Sequence, residues 1–180
     1  MTTLSTGNLF VDYIPDGLRR LDQFVLWKMV GEGKKTPCCQ QGVPVGYADE
    51  LSWKSFARGS SIASEVDDIG LGFSLRKDGT QVKRKGVTWN LCVLDFDGFA
   101  YDGDSFQLDE NVDEFLKELK TYAEVSPSCT GFKAFFWTDK EPTKKSKVKF
   151  GPSKFAERFP DVRKYQHREI EVFFQGYFMT

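Results

Sequence analysis

The segment from Leu91 to Phe96 constrains the fold most, because apolar residues occupy both alternating positions of the chain there. A strand points successive side chains to opposite faces, so apolar residues on both faces predict a strand that is covered on each side. We predict that this strand runs from Val87 to Asp97. A strand of that kind needs a sheet beside it and packed layers over it, which indicates an α+β or α/β protein.

Two carboxylates, Asp95 and Asp97, end this strand and are followed by Gly98. Residues i and i+2 of a strand lie on one face, about 7 Å apart along the chain. Two acids so placed suit a hard divalent cation, and without a positive charge near them their repulsion raises a pKa. An Asp-rich turn after a core strand is the alternative, since Asp and Gly favour turns. The pattern alone leaves both interpretations open.

Periodicity predicts alternating strands and helices elsewhere in the chain. Further strands are predicted at 24–30, 69–75, 122–125, 132–138 and 169–174, with a turn at Asp78-Gly79. One helix is predicted to begin at Asp49 and to carry Leu51, Trp53, Phe56 and Ala57, and a second to begin at Asn111 with Val112, Phe115, Leu116, Leu119 and Tyr122 at helical spacing. A short helix is predicted near 153–159. Together these elements predict one mixed sheet with helices packed on it.

Composition sets broad limits. A length of 180 residues predicts a single domain, 1–180, with 40% hydrophobic and 28% charged residues as in an ordinary globular protein. A net charge of −1 argues against a uniformly basic nucleic-acid binder. No signal peptide or membrane-spanning run is evident, so we expect no membrane partner. The four cysteines lack CxxC spacing, which argues against structural zinc and favours reduced thiols in a cytoplasmic setting.

Charge is segregated along the chain. From Asp95 to Glu114 there are eight acidic residues and no Lys or Arg, whereas 140–168 contains ten basic residues and three acidic ones. An acidic centre beside a basic flank is what a metal-dependent enzyme acting on polyphosphate or nucleic acid requires. Solvated surface loops would give the same pattern, and the lysine run 144–149 is the segment that we consider least explained by that alternative.

Two more segments carry chemistry. The stretch from Ser126 to Lys133 is a small-residue loop that ends in a lysine, and its hydroxyls, backbone N–H groups and ammonium suit phosphate oxygens. An ordinary hairpin turn is the alternative there. Glu171 interrupts an apolar strand and is costly to bury unless it is paired or bound to a metal. An exposed strand edge would also explain it.

With these segments in place, the chain resembles the primase–polymerase (archaeo-eukaryotic primase) superfamily, in particular its phage and plasmid forms. That family carries an Asp-x-Asp strand, a Ser-Pro-Ser-Gly-x-Gly-x-His loop and a later acid in an Ile-Glu-Val-Tyr-like strand. The counterparts here are Asp95-Phe96-Asp97, Ser126 to Lys133, and Glu171. Weaker likenesses are Lys35-Thr36-Pro37, Trp53 to Phe56 and Ile69 to Phe73, so the match spans roughly 24–180.

The resemblance implies a catalytic core with a mixed sheet, an RRM-like half and flanking helices. It implies template-dependent nucleotidyl transfer by a DNA primase and/or polymerase that replicates a phage or mobile element in the host cytoplasm. Asp95, Asp97 and Glu171 would be the catalytic ligands of two Mg²⁺ or Mn²⁺ ions. The remaining site residues would be Ser126, Ser128, Thr130, Gly131 and Lys133 for the nucleotide, and Lys144, Lys145, Lys147 and Lys149 for the template.

The implied partners are a single-stranded DNA template with its primer, dNTPs or NTPs, and a helicase domain or protein. We expect the 180 residues to be the N-terminal part of a longer replication protein. The chain departs from the family pattern at two positions, with Lys133 in place of the usual His and Cys129 in place of Gly. Lysine keeps its charge at neutral pH and remains a good point-charge ligand for phosphate.

Two other functions fit parts of the pattern. A degenerate primase fold that only binds DNA or an origin would explain Lys133 in place of His. The run Val93 to Gly98 also resembles the first motif of haloacid-dehalogenase-like phosphatases, in which Asp95 would be the nucleophile. That family places the motif nearer the N-terminus and needs a later Gly-Asp-x-x-x-Asp pattern, which the chain lacks.

Overall fold

A computed structural model describes residues 13–31, 34–97, 100–101, 107–108, 110–127, 131–141, 147–150 and 169–180. Its helices are α1 (Asp16–Arg19), α2 (Phe56–Glu65) and α3 (Glu110–Leu119). Its strands are β1 (Phe24–Val30), β2 (Lys34–Cys38), β3 (Gly70–Ser74), β4 (Gln81–Arg84), β5 (Val87–Asp97), β6 (Ala100–Tyr101), β7 (Gln107–Leu108), β8 (Tyr122–Val125), β9 (Phe132–Thr138), β10 (Lys147–Phe150), β11 (Glu169–Phe173) and β12 (Phe178–Met179). The chain divides into two compact units, Met1–Lys77 with Gly176–Thr180, and Asp78–Gln175.

The first unit contains a four-stranded sheet in the order β12-β3-β1-β2. Helix α2 packs on this sheet, and Ile62 of the helix joins Leu26, Cys38 and Ile69 in a buried cluster. Ser55 caps the helix, because its hydroxyl accepts a hydrogen bond from the backbone N–H of Arg58. This packing gives the unit an apolar core of its own.

The second unit contains a six-stranded sheet in the order β10-β11-β5-β9-β8, with β4 also paired to β5. Phe96 of β5 is fully buried, stacks on Phe132 with ring centroids 4.2 Å apart, and contacts Phe115 of α3 at 5.8 Å. The even-numbered face of β5 is therefore the face that α3 covers. Asp95 and Asp97 lie on the opposite face.

The α+β class is confirmed, whereas the mixed sheet and the α/β alternative are wrong for the described residues. Every strand pairing among them is antiparallel, so the sheets grow by hairpins and antiparallel returns and not by parallel crossovers. Strands β1, β5, β8 and β9 have the predicted bounds, β3 is one residue shorter at each end, and β11 ends one residue earlier than predicted. The single-domain prediction and the helix near 153–159 stay predictions, and the latter falls outside the described residues.

The helix predicted from Asp49 is wrong, because the segment forms two separate elements. Asp49 caps only a 3₁₀ turn, Glu50–Ser52, and Trp53 after it is extended. Helix α2 begins later, after its own Ser55 cap. Leu51, which the helical pattern placed on an apolar face, is 93% exposed. Two competing caps six residues apart divide what periodicity treats as one helix.

Candidate functional site

Five charged residues form a row straight across the six-stranded sheet. Backbone register pairs Lys149 with Glu171, Glu171 with Asp95, Asp95 with Lys133, and Lys133 with Glu124. Residues directly opposite each other on neighbouring strands point to the same face of a sheet. Glu171, Asp95, Lys133 and Glu124 therefore place charges of sign −, −, +, − side by side on one face, and Lys149 continues the row as a backbone position.

An ion pair lies at the centre of this row. The Nζ atom of Lys133 donates to Oδ1 of Asp95 over 2.9 Å, and the two side chains are only 8% and 7% exposed. A charged group is costly to bury alone, and a hydrogen-bonded opposite charge offsets much of that cost. The sequence predicted both residues as site residues, but it gave no sign that they contact each other.

Glu171 is buried beside this ion pair. A second pair of acidic residues, Glu169 and Asp97, lies next to the row at the end of β5. Glu171 is 6% exposed and directly opposite Asp95, while Glu169 is directly opposite Asp97 in the next register position on that face. Directly opposed Cα atoms in antiparallel sheets lie about 4.5–5.5 Å apart. Asp97 itself is exposed. Four acidic positions thus form a two-by-two arrangement, in which Asp95 and Glu171 are buried and Asp97 is exposed.

Glu124 flanks Lys133 on the side away from Asp95. Its Oε2 atom accepts a hydrogen bond of 2.9 Å from the Tyr122 hydroxyl. Burial raises the pKa of Glu124, and the Tyr122 hydrogen bond and the Lys133 charge partly oppose that rise. Glu124 and Glu169 are not among the residues predicted from the sequence, although the i, i+2 spacing of Glu169 and Glu171 repeats that of Asp95 and Asp97.

The small-residue loop is anchored next to the acidic end of β5. The backbone N–H of Ser126 donates to the Gly131 carbonyl over 2.9 Å, and Ser126 is buried. A Cβ added to Gly131 would lie 2.2 Å from the Phe96 carbonyl oxygen and 3.3 Å from the Asp97 Cα. Only glycine allows so close an approach of the two backbones. Ser128 and Thr130 lie outside the described residues.

Two of the four predicted template lysines lie on a strand. Lys147 and Lys149 belong to β10, with backbone positions opposite Phe173 and Glu171. They are two residues apart along the strand, and the backbone register places Lys149 at the end of the row that Glu171, Asp95 and Lys133 form. Lys144 and Lys145 lie outside the described residues, and the template role of all four stays a prediction.

The donor chemistry of this row fits a hard divalent cation. Carboxylate oxygens are the ligands that Mg²⁺ and Mn²⁺ prefer, and Asp95 and Glu171 offer them from directly opposed positions. The Asp95 carboxylate already binds one positively charged group, the ammonium of Lys133. Among the described side chains, no group of three His, Cys, Asp or Glu is gathered closely enough to hold a metal ion. A metal there would thus need the acids to draw together and Lys133 to move.

The sequence matches no protein-family model and no curated protein. The resemblance to primase–polymerases therefore depends on the three sequence motifs and stays a prediction. In the described part of the chain, no helix has the length and apolar character needed to cross a membrane.

Proposed function

We propose that this chain is a primase–polymerase that transfers nucleotides onto a DNA primer or a new chain end with the help of divalent cations. The observation that carries the proposal is the register of β11, β5 and β9, in which Glu171, Asp95 and Lys133 are directly opposed on one sheet face. Three strands that are distant in sequence supply two carboxylates and one lysine ammonium to a single row. That combination suits a metal-bridged triphosphate.

Asp95 and Glu171 would hold the cation, with Asp97 as a further ligand from the exposed end of β5. When bound, two Mg²⁺ or Mn²⁺ ions would stabilise the attacking and leaving oxygens of an in-line displacement. The chain's own part is to fix the acids by strand pairing and to bring a lysine to the phosphates. Lys133, once it leaves Asp95, has the charge and reach to bind a phosphate oxygen.

The loop from Ser126 to Gly131 supports a nucleotide site in the same place. Its ends are tied together by the Ser126–Gly131 hydrogen bond, and Gly131 lies against the backbone of Phe96 and Asp97. Hydroxyls and backbone N–H groups carried by such a loop would meet the triphosphate next to the acids. The core with an RRM-like half, the DNA template and primer, the dNTP or NTP substrate, a helicase partner and a role in phage or mobile-element replication all belong to this proposal.

One observation favours a second candidate, a DNA-binding module without catalysis. The buried Lys133–Asp95 pair neutralises an acid that a polymerase would use for a metal. In such a module the row would be a structural ion-pair network, and the lysines of β10 would contact the DNA backbone.

A primer-extension assay with dNTPs or NTPs and Mg²⁺ or Mn²⁺ on a single-stranded template tests the proposal. Extension that requires metal and template supports the primase–polymerase. DNA binding with no synthesis under either metal supports the binding module and contradicts the proposal. Release of phosphate from small phosphoesters, without extension, would instead indicate the phosphatase chemistry of an Asp95 nucleophile.

A further inference from the structure

Lys133 lies between two acids that the strand register places on either side of it. Asp95 of β5 is directly opposite Lys133 on one side, and Glu124 of β8 is directly opposite on the other. The ammonium donates a hydrogen bond to Asp95, while Oε2 of Glu124 accepts a hydrogen bond from the Tyr122 hydroxyl. Within the described residues, no hydrogen bond reaches the other oxygen of Glu124. A lysine flanked in this way has two acidic acceptors and occupies one of them.

A divalent cation at Asp95 would remove the present partner of Lys133. The cation and the Lys133 ammonium would then share the Asp95 carboxylate and repel each other. This repulsion is strong because the side chains of Lys133 and Asp95 are both less than a tenth exposed. The displaced ammonium stays buried unless it finds another acceptor, and an unpaired buried charge is costly. Neighbouring strands lie about 4.8 Å apart, so a lysine on the middle strand reaches the strand on either side.

We propose that Glu124 is a positioning residue that accepts the Lys133 ammonium when a divalent cation binds Asp95 and Glu171. Lys133 is then an internal counter-ion that exchanges with the metal, and Glu124 is its second acceptor. This inference depends on the proposed metal site and adds a residue outside the three motifs. The exchange explains how the protein folds with Asp95 and Glu171 buried in the absence of metal, and how the two carboxylates can still bind a cation.

The proposal predicts a specific pattern of Mn²⁺ affinities. Lys133→Met removes the competing charge, so Mn²⁺ should bind about tenfold more tightly or better. Glu124→Gln removes the second acceptor, so Mn²⁺ should bind several-fold, on the order of 3–10 times, more weakly. In the Lys133→Met background the Glu124→Gln change should have little effect, less than about twofold, because no ammonium remains to be accepted.

This double-mutant cycle is measured by the electron paramagnetic resonance signal of free Mn²⁺, titrated against the full chain. Lys117→Met and Glu65→Gln are matched controls, since Lys117 pairs with Asp113 on the surface and Glu65 accepts a hydrogen bond from the Ser61 hydroxyl. Both controls should leave the Mn²⁺ affinity unchanged. If Lys133→Met does not fold without metal, recovery of its circular dichroism spectrum on addition of Mn²⁺ supports the exchange, and failure to recover contradicts it.

An equal effect of Glu124→Gln in both backgrounds, or no effect in either, would overturn the inference. Its failure is distinguishable from that of the proposed function, because the readout is metal binding and not synthesis. DNA synthesis by the wild type combined with an unchanged Mn²⁺ affinity in Lys133→Met retains the polymerase and rejects the exchange. Tighter Mn²⁺ binding in Lys133→Met without synthesis by the wild type retains the exchange and rejects the polymerase.

Discussion

Lys133 and Asp95 form a buried ion pair with an N–O distance of 2.9 Å between two strands that are directly hydrogen-bonded. The pair joins the Asp-x-Asp strand to the strand that follows the small-residue loop. Asp95 is a proposed metal ligand and Lys133 a proposed phosphate ligand, so the ion pair joins two residues to which we assign different roles.

Removing one member of the pair should destabilise the protein strongly. Lys133→Met leaves the Asp95 carboxylate buried without its partner, and we expect the free energy of unfolding to fall by about 3 kcal/mol or more in EDTA. Urea unfolding followed by circular dichroism measures the change. Lys117→Met breaks an exposed i, i+4 pair and should cost less than about 1 kcal/mol. Equal losses in the two variants would contradict the buried character of the Lys133–Asp95 pair.

Glu124 should make the protein less stable as the pH rises. Burial raises its pKa above the ordinary value of 4.5, so the folded state binds this proton more tightly than the unfolded state. The stabilisation is complete below pH 4.5 and is lost as the pH rises through the folded pKa. Glu124→Gln mimics the protonated form, so its stability relative to wild type should increase between pH 4 and pH 8.

Denaturant unfolding of wild type and Glu124→Gln across that pH range checks this sign. Tyr122→Phe provides a second test, since it removes the hydroxyl whose hydrogen bond lowers the pKa of Glu124. The pH-dependent loss should extend to higher pH in that variant. A constant difference between wild type and Glu124→Gln at all pH values would refute the prediction.

Gly131→Ala should separate the loop from the acidic strand. The added Cβ would meet backbone atoms of Phe96 and Asp97, which cannot move aside as a flexible side chain can. We expect a loss of about 1–3 kcal/mol in the free energy of unfolding, typical of overpacking. Gly46→Ala is the control, because the nearest atom to its Cβ is 3.9 Å away, at Asp49. Thermal unfolding of both variants measures the difference, and equal melting temperatures would contradict the close approach.

The apolar strands were predictable from sequence because their pattern is local. Strands β1 and β9 combine β-branched and aromatic residues in runs that are followed by Gly31 and Asp139, so their bounds agree with the prediction. Strands β2 and β4 were missed, because Lys34–Cys38 and Gln81–Arg84 are largely polar and lack an apolar alternation. Such strands form because a neighbour pairs with them, and their own side chains carry little signal.

The site was predictable as a set of residues but not as an arrangement. Motif order pointed to Asp95, Glu171 and Lys133, yet their contacts depend on a register set by long-range strand pairing, 38 residues apart for Asp95 and Lys133. Glu124 was missed for the same reason, since nothing near it in sequence reports which strand lies beside it. The position of Lys149 opposite Glu171 is likewise a product of pairing and not of the lysine run.

The most direct test of the central claim is primer extension by Asp95→Asn compared with wild type, with Mn²⁺ and dNTPs on a primed single-stranded template. Asp113→Asn serves as the matched control, because Asp113 forms an exposed ion pair with Lys117 outside the row. We predict metal-dependent extension by wild type and the control, and a loss of about 10²-fold or more in folded Asp95→Asn. Extension by Asp95→Asn at the wild-type rate would contradict nucleotidyl transfer at the site that contains Asp95 and Glu171.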